Sequence, residues 1–417
     1  MTTIDRRTRL AGAVDVMDAE QLFADLADRL QDTGGLAARG AQVLDLPPLT
    51  FQVDDTAAHL VVADGALTLR EGRAPNGPVI GLDATACSEL FQDLVSTFGL
   101  VMPGRVEVLR PRGDQFVAWE PVLRAAIDGR AVYEPGSIEF HDRHGDELDL
   151  RRSFRVDGDR DDLGHFLAEA GYLHLEGVFT EAEMAAVSAE LDAAMDAATQ
   201  DDGASWWART EDGWYPSRIL GFNCKSPTLQ DLLESDRFTR IGTFTDDAMV
   251  QRAPRTGDSA EGLLKKVGVL EGISDVSWHK DCSLGGHSRS CCGLTVGISI
   301  TGAQPRNGEL GVVAGSSRAN VQAIDVRPDL DLPRVPLPTN TGDVTVHCSC
   351  TLHMSRPPID RERRVVYTGF GLAPRPGDMF EELSADEIRR RRQSLSDQVT
   401  NIEREQIVGA EAFKLDA

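Results

Sequence analysis

From Gln21 to Asp32, apolar side chains recur at Leu22, Phe23, Leu26 and Leu30, the spacing of one helix face. His59 to Arg70 changes period: Leu60, Val61 and Val62 precede Asp64-Gly65, and Leu67 and Leu69 follow, which predicts a β-hairpin. Val79 to Leu82 reads as a short strand, and Asp83 then caps a helix carrying Leu90, Phe91, Leu94 and Val95. Val106 to Leu109 reads as a further strand and Phe116 to Ile127 as an amphipathic helix. These elements predict a small α/β unit over residues 1–145.

His141 to Arg160 is dense in charge (HDRHGDELDLRRSFRVDGDR), and a linker is expected at 146–160. The pattern restarts in a second region, 161–417. Gly171 to Gly177 alternates like a strand. Thr180-Glu-Ala-Glu183 is a capping box, with Met184, Val187, Leu191 and Met195 striping the helix behind it. Trp206, Trp207, Trp214 and Tyr215 cluster in what reads as a polar loop, either lining a substrate mouth or folding back on the core. Beyond residue 265, short strands alternate with Gly, Asn and Pro turns, which suggests a sandwich or jelly roll. Ser384-Ala-Asp-Glu387 opens a predicted C-terminal helix.

Composition narrows the function. At about 150 residues per domain, 417 residues suggest two or three domains. The net charge of −24 disfavours phosphate backbones and anionic lipid, so nucleic acid is not an expected partner. No apolar run approaches the ~20 residues of a bilayer span. The N-terminus lacks a signal-peptide pattern, and a soluble cytoplasmic protein is expected. The seven cysteines form no CxxC pair, which argues against a zinc ribbon. Cys348-Ser-Cys350 reads either as a pair of ligands for a soft metal or, as the favoured reading, as two small apolar side chains on one face of a strand.

The chemistry concentrates in Val276-Ser-Trp-His279-Lys-Asp281. His-x-Asp on a strand points both side chains the same way, so an imidazole and a carboxylate can share an ion. A second, distant histidine would complete a triad that leaves positions open on Fe(II). Alone the pattern is weak, because His144-Gly-Asp146 and His174-Leu-Glu176 repeat it. The His279 pair is followed by Asn307 to Arg318 (NGELGVVAGSSR), Gly342 to His347 (GDVTVH), Thr351-Leu-His353-Met-Ser355 and Arg363 to Phe370 (RRVVYTGF).

In this order the segments resemble the phytanoyl-CoA dioxygenase family of Fe(II)/2-oxoglutarate oxygenases, over roughly residues 160 to 380. The resemblance implies an α+β protein whose oxygenase domain is a double-stranded β-helix, or jelly roll. It implies Fe(II) on His279, Asp281 and His353, with 2-oxoglutarate and O2 as co-substrates. The Leu-His-x-Ser motif favours His353 as the distal ligand, and His347 competes. The 2-oxoglutarate clamp falls on Arg363 or Arg364. The Asp360-Arg-Glu-Arg-Arg pattern favours Arg363, whereas counting from His353 favours Arg364, and only one can face inward. Ser355 is implied to bind the same carboxylate. Met354 and Arg356 stand where the family commonly has small residues. His287, in the Gly-rich loop after the metal motif, is a weaker candidate for substrate contact. Ala63 to Gly129 resembles the sterol-carrier-like lipid-binding domains, which implies an apolar pocket for a lipid-like ligand and with it a lipid-like small-molecule substrate; a scaffold that packs on the second domain or makes a dimer is the alternative. Hydroxylation of an aliphatic carbon is the default reaction implied. A non-catalytic binding protein and a cupin-like enzyme without 2-oxoglutarate are the alternatives, and the oligomeric state stays open.

Overall fold

The computed structural model describes residues 14–101, 103–110, 114–247, 249–251, 258–272, 276–284, 293–323, 330–373, 390 and 393. The C-terminal helix expected from Ser384, as well as His287, Cys291 and Cys292, lies outside the described residues.

The first part of the chain builds a five-stranded sheet. Its order is Ala66–Glu71, Thr56–Ala63, Leu49–Val53, Val79–Leu82, Glu107–Arg110, with one parallel contact, between Leu49–Val53 and Val79–Leu82. The hairpin turns on Asp64 and Gly65, both at positive φ (51° and 80°), as a two-residue turn between right-twisted strands requires. Helix Ala19–Val43 is longer than the apolar stripe predicts, because Gly34, Ala37, Ala38 and Ala41 continue the buried face with side chains too small to register as hydrophobic pattern. The helix expected over Phe116 to Ile127 is broken in two, Asp114–Ala118 and Glu120–Asp128. Trp119 sits at the break, buried, its indole N–H donating to Pro47 O at 3.1 Å. This part has its own apolar core, centred on Leu22, Phe51, Phe91, Phe116 and Val122. Arg124 is fully buried within the unit, donating to Glu120 Oε1 at 2.8 Å and Asp93 Oδ1 at 2.9 Å.

The charged stretch after it packs onto the second part. Leu148, Phe154 and Val156 enter the second core, and Phe154 bridges to Leu175. Tyr133, Ile138 and Phe140, assigned by sequence to the first region, pack with Trp278, Val313, Leu352 and Met354.

The second part is a double-stranded β-helix made of two antiparallel sheets. The larger has the order Tyr172–Leu175, Val344–Cys348, Gly293–Ser299, Arg363–Gly371, Ala260–Lys265, Gly213–Ile219, Ser205–Thr210, with Val250–Gln251 added to Arg363–Gly371. The smaller runs Val276–His279, His353–Ser355, Leu310–Val313, Arg334–Leu337. Helix Glu181–Asp196 begins at the expected capping box, with Thr180 Oγ1 accepting from Glu183 N at 3.2 Å and Glu183 accepting from Thr180 N at 2.8 Å. Gly342 turns the chain into the Val344–Cys348 strand at φ +84°, where a Cβ would lie 2.0 Å from Phe179 O. The tryptophan cluster forms a hairpin, Ser205–Thr210 with Gly213–Ile219, and does not lie in a loop. Alternation along its strands buries Tyr215, leaves Trp214 exposed and sets Arg218 over the Trp206 ring.

Candidate metal and co-substrate site

Strand Val276–His279 ends at His279, which pairs in register with His353 on the neighbouring antiparallel strand His353–Ser355. The two rings lie 4.1 Å apart. Asp281 is not on the same strand as His279, as the sequence pattern suggests. The strand stops, and Asp281 opens a 3-10 turn, Asp281–Leu284. The turn folds the carboxylate back over both rings, placing Asp281 Oδ1 3.5 Å from His279 Nε2 and 3.5 Å from His353 Nε2.

Backbone carbonyls set the imidazoles. His279 Nδ1 donates to Ser277 O at 2.8 Å and His353 Nδ1 donates to Thr351 O at 2.9 Å. With Nδ1 protonated, each Nε2 keeps its lone pair for the centre of the cluster, the tautomer a metal ligand needs. One donor atom from each of His279, Asp281 and His353 lies within 4.8 Å of the others, the one such group among the described residues. Burial works to raise the Asp281 carboxyl, but the imidazoles of His353, His279 and His347 outweigh it and hold it well below the usual carboxylate range. Burial, reinforced by His347 and His279, pushes His353 well below an ordinary histidine. An ionised carboxylate and a neutral imidazole are the forms that bind a divalent cation.

His347 lies on the larger sheet, 1% exposed, its ring 4.1 Å from His353 and its Nε2 3.5 Å from Asp281 Oδ2. Neither of its ring nitrogens meets a partner at hydrogen-bonding geometry. It faces the carboxylate oxygen turned away from the other two histidines. Thr295, its cross-strand partner, donates to that same Oδ2 at 2.6 Å.

The other end of the site lies two residues along the strand from His353. Ser355 Oγ accepts from Lys265 Nζ at 2.6 Å and from Arg363 Nη2 at 3.2 Å. Arg363 also reaches Tyr367 OH at 3.4 Å. Lys265 and Arg363 are register partners on adjacent strands of the larger sheet, 2% and 3% exposed, and both cross to the smaller sheet. Arg364 faces the other way, where it pairs with Asp192 at 2.8 Å and donates to Ser188 Oγ at 2.8 Å. Glu309 is buried nearby, and its burial raises its carboxyl against the pull of Arg356 and Arg363. Sequence reasoning missed Lys265. The available signal was a lysine sharing a strand face with buried Leu263, although Lys266 beside it obscured that face.

The two decoy patterns lie elsewhere. His174 pairs with Asp343 at 3.2 Å, and Glu176 accepts from Ser153 Oγ. His144 and Asp146 sit in an exposed turn around Asp142.

Residues 167–364 match the family model of phytanoyl-CoA dioxygenase (PhyH). No curated protein matches the chain. Among solved structures, the chain is similar to the non-heme alpha ketoglutarate dependent carbocyclase SnoK from nogalamycin biosynthesis, at 22% identity and a TM-score of 0.43, over 56% of this chain and 97% of SnoK. It is also similar to AviO1 from Streptomyces viridochromogenes Tue57, at 20% identity and a TM-score of 0.40, over 53% and 97% of the two chains. EctD from S. alaskensis, solved with 2-oxoglutarate and 5-hydroxyectoine, shares 19% identity at a TM-score of 0.41, over 62% and 96%. With the phytanoyl-CoA dioxygenase match falling on the jelly-roll part of the chain, the protein is an Fe(II)- and 2-oxoglutarate-dependent oxygenase.

Proposed function

We propose that His279, Asp281 and His353 hold Fe(II), that Arg363, Lys265 and Ser355 hold the far carboxylate of 2-oxoglutarate, and that the enzyme hydroxylates an aliphatic carbon of a lipid-like, acyl or natural-product small molecule. The observation that carries this reading is the arrangement along one short strand. His353 sits in the imidazole–carboxylate cluster, and Ser355 joins a buried arginine and lysine. Two residues of strand span about 7 Å, a gap that a five-carbon dicarboxylate bridges from metal to cation.

When bound, Fe(II) with 2-oxoglutarate and O2 supplies oxidative decarboxylation to succinate and CO2, coupled to oxidation of a substrate C–H bond. This chain's residues have narrower tasks. Three protein ligands leave coordination positions open for co-substrate and O2. The planar fork of Arg363 fixes a carboxylate in two directions, and Lys265 adds a point charge beside it. The burial of both cations excludes water from that end and strengthens their attraction for an anion.

The lipid-like substrate class rests on the sterol-carrier-like pattern over Ala63 to Gly129 and is part of the proposal. A succinate-release screen over acyl thioesters, sterols and polyketide-like compounds tests it. The expected result is release above the substrate-free rate with one of these apolar classes. Release stimulated only by small polar compounds would contradict it.

A further inference from the structure

Two thiols stand in contact beside the metal cluster. Cys282 directly follows Asp281, and Cys350 lies in the loop between His347 and His353. Their sulfurs are 3.3 Å apart, both residues are buried, and both are reduced. The backbone fixes them as neighbours, because Cys282 N donates to Ser349 O at 3.1 Å. They do not share one strand face with Cys348. The strand Val344–Cys348 has ended, and Cys350 turns toward Cys282. Both line a cleft between the two parts of the chain, together with Arg130, Lys280, Asn320 and Ser96. The Arg130 guanidinium comes from the first part and donates to Ala319 O at 3.2 Å, and Lys280 Nζ donates to Ser316 O at 3.0 Å. Glu120 also lines the cleft, with its charge met by Arg124, so Arg130 and Lys280 leave a net positive lining that favours the negative charge building on a sulfur as it attacks an oxidant.

We propose that Cys282 and Cys350 form a peroxide-sensitive dithiol whose oxidation to a disulfide displaces the Asp281 turn and weakens metal binding. Its effect on the metal rests on the reading of His279, Asp281 and His353 as ligands. One thiol attacks the O–O bond of hydrogen peroxide, giving a sulfenic acid and water. The second thiol attacks that sulfur, the S–S bond forms, and a second water leaves with the remaining thiol proton. Two thiols are oxidised by two electrons and one peroxide is reduced to two waters.

A disulfide brings sulfurs to about 2.05 Å, so more than an ångström of closure must be absorbed. The loop is held on both sides of Cys350, before the strand of the metal histidine begins. Thr351 Oγ1 donates to Gly171 O at 2.7 Å, Leu352 N donates to Ser316 Oγ at 2.8 Å, and Cys348 N donates to Gly171 O at 2.9 Å. The turn that carries Asp281 is tied as well, by Thr295 Oγ1 on Asp281 Oδ2 and by Cys282 N on Ser349 O, so closure pulls on the contacts that place the carboxylate, where half an ångström already exceeds the tolerance of a preorganised site.

The test treats the full-length protein with hydrogen peroxide, removes the peroxide, alkylates the remaining thiols and maps peptides by mass spectrometry. Co(II) binding is titrated before and after by its visible absorption. The expected result is a Cys282–Cys350 cross-linked peptide, a Co(II) affinity about tenfold weaker, and recovery of both states with dithiothreitol. Cys350→Ser should abolish the affinity change. Alkylation of both cysteines after peroxide would overturn the proposal, as would a cross-link that leaves Co(II) affinity unchanged. The mapping is made on the unaltered chain, so it does not depend on a variant folding. Reduced protein that binds no Co(II) would refute the metal-site reading instead. In that case the map still decides for the dithiol if the cross-link forms and against it if both thiols are alkylated.

Discussion

At the scale of single residues, the proposed function turns on which of two neighbours faces inward. His353→Ala should abolish Co(II) binding, because its Nε2 is one of three donors to the cluster. His347→Ala should retain it, because that ring faces the outer carboxylate oxygen. Loss of metal from His347→Ala with retention in His353→Ala would reverse the assignment. Arg363→Ala should raise the KM for 2-oxoglutarate about 100-fold, the effect of roughly 3 kcal/mol when a desolvated carboxylate loses its partner. Arg364→Ala should leave that KM unchanged and cost under about 1 kcal/mol of stability, since Arg364 pairs with a largely exposed Asp192. Steady-state kinetics on the two variants separates them. His279, Asp281, His353, Ser355 and Arg363 were all legible as motif positions. Lys265 and Thr295 were not, because a lysine at a strand end and a threonine within a strand are ordinary choices until the fold brings Ser355 and Asp281 to them.

At the scale of elements, local chemistry was the legible part. Asp64-Gly65 fixes a hairpin and Thr180 to Glu183 starts a helix because the responsible interactions lie within a few residues. What was hidden depends on distant partners. Trp119, at the break just before Pro121, is anchored by its indole on Pro47 O, and the Ser205 to Ile219 hairpin places its aromatics by register. Two ionic elements yield predictions. Arg124→Met leaves Glu120 and Asp93 buried without their cation and should cost about 3–5 kcal/mol, read as a fall in the denaturant midpoint; a change within about 0.5 kcal/mol would contradict that role. Asp343 accepts from Gly177 N at 2.7 Å and from Asn340 N at 2.7 Å, and it pairs with His174. Burial works against its charge, but His174 and these amides prevail and lower the carboxyl below its ordinary 3.8. A carboxyl lowered on folding adds stability that is complete above its unfolded value and is lost as pH falls from there through its folded value. Asp343→Asn should therefore lower stability at pH 7 and flatten the acid limb of the stability–pH curve. An acid limb as steep as that of the unaltered chain would remove Asp343 from the account.

At the scale of the whole molecule, the seam between the two parts is built from specific contacts. Asn320 Nδ2 donates to Pro121 O at 2.8 Å and to Arg130 O at 3.0 Å, and Gly136 N donates to Asp331 Oδ2 at 2.7 Å. The charge density of His141 to Arg160 suggested a linker, because apolar residues such as Leu148, Phe154 and Val156 are sparse enough to be masked by their neighbours. A chain beginning near Asp128 keeps Tyr133, Ile138 and Phe140 beneath the strands that carry Trp278 and Met354, whereas one beginning near Leu150 loses them. The longer form should melt higher and the shorter should lose several kcal/mol of buried apolar contact; equal melting temperatures would show that this packing is dispensable. In the proposed reading, one strand brings a metal cluster and a dicarboxylate clamp within the reach of a single co-substrate. The most direct measurement is the visible spectrum of the protein mixed anaerobically with Fe(II) and 2-oxoglutarate. The expected result is a weak charge-transfer band that needs both components, vanishes in Asp281→Ala and requires far more 2-oxoglutarate in Arg363→Ala. A folded protein that binds Fe(II) yet gives no band at any 2-oxoglutarate concentration would contradict it.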